Sequence, residues 1–143
     1  MREDTIELLK ECDAGIKMGV SAIDDVMDKV THEDLKRHLE KQKQAHETMK
    51  REIHDQLNTY QEEGKDPSPM TRGMSFVKTQ MKLGFDTTDE NIASLLVDGC
   101  HMGIKSLAKY LNRYEKADEG AKNVARKLIS LEETMAKDLQ PYL

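Results

Sequence analysis

Leu9, Ile16, Ile23 and Val30 stand seven residues apart, and Ile6, Val20 and Met27 form a second row beside them. A double apolar row with that spacing is the stripe a helix turns toward its neighbours. Comparable rows recur along the chain, and no segment alternates apolar and polar residues for long enough to make a strand. An all-α chain follows, in which each helix must bury one side against the others. The first helix is expected over 4–30. Thr31-x-x-Asp34 supplies a cap for a second over 32–63, with Leu35, Leu39, Met49, Ile53, Leu57 and Tyr60 inward. Two prolines and a glycine in Gly64-Lys65-Asp66-Pro67-Ser68-Pro69 end it. A short amphipathic helix then carries Met70, Met74, Val77 and Met81 and stops at Gly84. Thr87-x-x-Glu90 reads as a capping box for a third long helix bearing Ile92, Leu95, Leu96, Ile104, Leu107 and Leu111. After a turn at Asp118-Glu119-Gly120, a fourth helix over 121–139 points Val124, Leu128, Leu131, Met135 and Leu139 inward.

The helices fall into two related hairpins. Glu11-Cys12-Asp13-Ala14-Gly15-Ile16-Lys17 lies over Gly99-Cys100-His101-Met102-Gly103-Ile104-Lys105, and His46-Glu47-Thr48-Met49 lies over Glu132-Glu133-Thr134-Met135. Such a repeat is the pattern of a duplicated four-helix bundle. Helix two, about 48 Å long at 32 residues, must be followed by a connection that decides the topology. The stretch 64–87 offers roughly 22 Å of helix and roughly 30 Å of extended chain, enough to traverse the bundle. Helices two and three then run parallel, in up-down-down-up order.

The 143 residues suit a single domain, 1–143, with no linker long enough to divide it. No apolar run approaches membrane-spanning length, and the charged start MREDTIELLKECD does not read as a signal peptide. A net charge of −5, with no Trp and only two Phe, argues against a nucleic-acid partner. Cys12 and Cys100, neither in a CxxC pair, fit the reducing cytoplasm and are expected to stay free thiols. Gly15, Gly19 and Gly103 interrupt good helix and are expected to let helices approach closely. The Met-rich crossover helix is a candidate cover for a hydrophobic seam, or a homodimer surface.

Each long helix carries one polar residue within its inward stripe: Asp13, His46, His101 and Glu132. Asp13 and His46 lie 18 and 15 residues from Thr31, roughly 27 and 22 Å. His101 and Glu132 lie 17 and 14 residues from Asp118, roughly 25 and 21 Å. If the two turns are at opposite ends, the four side chains are expected to meet at mid-bundle. Burial there requires that they satisfy one another or a ligand. Their chemistry admits a buried hydrogen-bond cluster, or a divalent-metal site for zinc or iron with two imidazoles and two carboxylates. A bis-His haem on His46 and His101 is a third arrangement. His32, His38 and His54 fall at turns or off the inward rows and read as solvated.

With these residues in place the chain resembles the ferritin-like superfamily, and more narrowly its small bacterial four-helix proteins. The resemblance implies a ferritin-like bundle with one long crossover. Di-iron members carry Glu on helices one and three and Glu-x-x-His on two and four. At those places this chain has Asp13, Lys43-Gln44-Ala45-His46, His101 and Ile129-Ser130-Leu131-Glu132. Only His46 matches by type, and two carboxylates are too few to bridge a di-iron pair. The expectation is therefore a non-catalytic ferritin-like protein with a buried polar cluster, the alternative being a divalent-metal protein in metal handling or stress response.

Overall fold

The computed structural model describes residues 1–65, 84 and 86–143. Among them lie four long helices and no strand: α1 Arg2–Met27, α2 Glu33–Thr59, α3 Asp89–Arg113 and α4 Glu119–Leu139, with a closing 3₁₀ turn at Gln140–Tyr142. None is long and apolar enough to cross a membrane. The expected helix with Met70, Met74, Val77 and Met81, and any dimer surface on it, lie outside the described residues.

Helix boundaries follow local chemistry more tightly than the apolar rows suggested. The α2 cap is His32, not Thr31: His32 Nδ1 accepts from Asp34 N at 3.2 Å. Thr31 is engaged elsewhere, its N–H and hydroxyl both donating to Asp89 at 2.9 and 2.8 Å. Thr88 rather than Thr87 caps α3, accepting from Asn91 N, and Asp118 caps α4, accepting from Ala121 N at 2.9 Å. Asp118-Glu119-Gly120 is thus the start of α4, not a turn before it. The second helix ends at Thr59, four residues short of expectation. Gln61 takes a left-handed φ of 56°, while Gln61 N donates to Asn58 O and Glu62 N to Leu57 O. That pair of bonds is a Schellman motif, which satisfies the last carbonyls and stops the helix.

One end of the molecule gathers the start of α1, the end of α2 and the α3–α4 turn. There Asp118 N donates to Thr5 Oγ1 at 2.9 Å, Lys116 N to Asp4, and Tyr60 OH to Asp118 Oδ2 at 2.8 Å. The opposite end holds the α1–α2 turn, the start of α3 and the C-terminal Tyr142. Asp89 ties the first two together, and the Tyr142 ring meets the edges of His32 and His38 at 5.4 and 5.9 Å. Helix α1 packs on α2, α3 on α4, and α1 and α2 both touch α4.

The core is in two parts. Ile23, Val26, Leu35, Leu39, Ile92, Leu96, Met135 and Leu139 cluster toward the Asp89 end. Leu8, Leu9, Ile16, Ile53, Leu57, Leu107, Val124 and Leu128 cluster toward the Asp118 end. The first-helix row Leu9, Ile16, Ile23 and Val30 is buried throughout, as its spacing required.

Candidate functional site

A buried polar layer lies between the two clusters, built around His46 on α2, whose exposure is 0%. Its Nδ1 faces the Gln42 carbonyl oxygen at 2.7 Å, and Nε2 faces Glu132 Oε1 at 3.1 Å. A carbonyl only accepts, so Nδ1 carries a hydrogen. A carboxylate facing Nε2 requires a second proton between them, held on the ring or on the carboxyl group. The Glu132 side chain is 12% exposed and also meets the Cys100 thiol, which is pushed above the ordinary thiol range by burial first and by that carboxylate second. Gly19 makes room for the ring: a Cβ there would stand 2.9 Å from His46 Cδ2. Gly103 performs a looser service for Glu132, with the nearest atom at 3.8 Å, and Gly15 meets nothing within 4 Å. Close approach is thus a property of Gly19 alone among the three.

The four expected residues do not form one cluster. Asp13 is fully buried but belongs to a second group, one to two turns nearer the Asp118 end. Its carboxylate accepts from His54 Nε2 and Lys17 Nζ, both at 2.7 Å, and from Lys65 N at 2.9 Å. Gly64 presses so closely on this carboxylate that a Cβ would collide with it. Lys65 also pairs with Glu11, so the chain leaving α2 is fastened onto α1. His101 is exposed on α3. For His101 the reason is direction, one residue round the helix from the buried Cys100; for Asp13 it is height. Asp13 and His46 differ by three residues in distance from their common turn, and His101 and Glu132 differ likewise. Three residues are roughly 4.5 Å, more than a hydrogen bond spans. The register of the first hairpin widens the gap: Asp13 stands level with His54, eight residues or roughly 12 Å along α2 from His46, while His46 meets Glu132.

His54, read as solvated, is instead the partner of Asp13, with its side chain 40% exposed. Hairpin register holds the signal that reveals it. Asp24 pairs with Lys43 at 2.7 Å, and stepping eleven residues back along α1 and eleven forward along α2 reaches Asp13 and His54. The second residue missed is Gln42, 4% exposed, whose Nε2 donates to Asp138 Oδ2 at 3.3 Å while Oε1 has no partner among the described residues.

The arrangement does not fit the metal centre that the resemblance implies. Among the described residues no group of three or more His, Cys, Asp or Glu side chains is disposed to hold an ion. Asp13 is occupied by the Lys17 ammonium, the His54 imidazole and a backbone N–H, and His46 and Glu132 are occupied by each other. The bis-His haem arrangement fails with His101 at the surface. Both thiols are free and buried, and burial pushes that of Cys12 up to about 12. Comparison with family models, with curated proteins and with solved structures returned no match.

Proposed function

We propose that this chain is a ferritin-like helical protein of up-down-down-up order that acts through its surface and carries out no catalysis of its own. The His46–Glu132 pair serves as a buried key that fixes how the helices sit against each other. The end contacts support the connectivity: Thr31 and His32 on Asp89 at one end, Thr5 and Tyr60 on Asp118 at the other. One observation carries the non-catalytic reading. Both ring nitrogens of His46 are satisfied from within, leaving no open position on the imidazole. Unpaired buried thiols accord with a cytoplasmic setting.

The test combines elemental analysis with a pair of variants. Protein purified without added metal is expected to carry no stoichiometric zinc or iron. Glu132→Leu alone, which leaves His46 Nε2 buried without a partner, is expected to cost about 2–4 kcal/mol. His46→Leu with Glu132→Leu is expected to recover most of that loss, while broadening amide resonances if the pair had fixed a unique packing. Stoichiometric metal that disappears in His46→Ala would establish the divalent-metal alternative and overturn this reading.

A further inference from the structure

An open groove of 830 Å³ runs between α2 and α4. Its floor includes the half-buried Met49 and Leu131, and its walls carry Lys41, Arg126 and Lys127, with no carboxylate among the described lining residues. On a chain of net charge −5, a carboxylate-free basic groove is a local reversal of sign. Lys127 and Arg126 pair at the rim with Glu52 at 2.9 Å and Glu119 at 3.2 Å, which offsets part of their charge; both pairs are solvent-exposed and weak, so an incoming carboxylate can replace them. Gln42 provides an independent observation. It lines this groove at 4% exposure, its amide nitrogen is committed to Asp138, and its Oε1 is the one buried side-chain oxygen or nitrogen lacking a partner among the described residues. An orphaned acceptor at that depth costs free energy until a donor reaches it.

We propose that the α2–α4 groove docks an acidic amphipathic helix of a partner protein, a proposal that rests on the surface-acting reading above. The occupant's apolar side chains would sit on Met49 and Leu131, its carboxylates against Lys41, Arg126 and Lys127, and an amide or hydroxyl donor would meet Gln42 Oε1, shielded in the free chain, once the Gln42 side chain turns toward the groove. The dimensions favour a helix over a small molecule. Lys41 to Met49 spans about 12 Å of α2 and Asn123 to Thr134 about 16 Å of α4, the length of two to three helical turns. A groove open along its length leaves a small ligand largely in water, whereas a helix inserts its i, i+4 and i+7 side chains and keeps its outer face solvated.

The experiment titrates the full chain, labelled with ¹⁵N, with a capped peptide of about 16 residues carrying Leu at i, i+4 and i+7, one Asn and flanking Glu. Expected are amide shifts confined to 41–49 and 123–134, and binding that weakens about tenfold when salt is raised to several hundred millimolar. Lys41→Glu should weaken it further. Gln42→Met should leave the thermal midpoint of the free protein unchanged or higher, because it removes an unpaired acceptor, yet weaken the peptide about fivefold. A purely structural glutamine would lose stability and leave binding untouched. Equal binding of the same peptide with Lys for Glu would overturn the proposal, as would shifts elsewhere, comparable occupancy by decanoate, or self-association through this face in sedimentation. Those failures leave the metal content unaltered, so they are distinguishable from failure of the underlying reading.

Discussion

Gly15 and Gly19 stand one turn apart on α1 and should respond to the same substitution with opposite signs. Alanine is the better helix former by about 1 kcal/mol, so Gly15→Ala, whose Cβ would meet nothing within 4 Å, should stabilise by about 0.5–1 kcal/mol. At Gly19 the same gain is offset by a collision. The new Cβ would lie 2.9 Å from His46 Cδ2 and 3.2 Å from Nε2, and the ring is fixed on one side by Gln42 O and on the other by Glu132. Overpacking costs about 1–3 kcal/mol, and tilting the ring away weakens a charge-assisted bond of about 1.5–3 kcal/mol. The sum is a net loss of about 1–3 kcal/mol for Gly19→Ala. Urea unfolding followed by far-ultraviolet circular dichroism measures both. Repeating Gly19→Ala in a His46→Ala background should abolish the penalty, since the Cβ then faces empty space. Equal stabilisation by both alanines, or a penalty that survives His46→Ala, would refute the placement of the ring against α1.

Asp89→Ala should cost about 1–3 kcal/mol in thermal unfolding, as it removes three hydrogen bonds, from Thr31 N, Thr31 Oγ1 and His32 N. The Thr31 backbone N–H, followed by its hydroxyl and the His32 N–H, holds Asp89 below the usual carboxylate range. Its contribution is therefore present above pH about 4 and lost as pH falls through the lower folded value, so wild type and Asp89→Asn should converge in stability in acid. Gln61→Gly should stabilise by about 0.5–1 kcal/mol in the same assay, because a left-handed φ of 56° strains any residue with a Cβ. Both thiols should resist a disulfide reagent at pH 8 until the chain unfolds, then titrate as two. Since folding raises the Cys12 value to about 12, stability should fall as pH climbs above the unfolded thiol value of about 8.5; Cys12→Ala should flatten that decline.

Periodicity carried the architecture because every long helix has a single apolar stripe. Leu9, Ile16, Ile23, Leu35, Leu39, Ile53, Leu57, Leu128 and Leu139 are buried where the rows put them. Leu131 serves two surfaces: it packs against the Asp118-end cluster, as its inward row expects, and also borders the groove toward α2. Site prediction demanded finer information than a stripe contains. Heights counted from turns locate a residue to within about a turn, sufficient to bring His46 opposite Glu132 but not to separate Asp13 from them. Direction failed at His101, which follows the buried Cys100 by one residue and so lies about 100° farther round the helix. Its counterpart Asp13 follows Cys12 in the same way, yet Lys17, His54 and Lys65 enclose it. Those enclosing residues come from α1 itself, its partner helix and the chain beyond α2, and no single helical pattern contains that combination.

The division of the core has a bearing on how this molecule comes apart. Both apolar clusters recruit side chains from all four helices, so neither hairpin owns a core that survives without the other. Opening along the seam between hairpins would therefore break both clusters at once. Lifting the helix tips at one end would break only one, stopping at the His46–Glu132 layer where continuous hydrocarbon contact is already interrupted. Hydrogen exchange under native conditions should then sort amides by their distance from that layer along the bundle axis, not by the hairpin to which they belong.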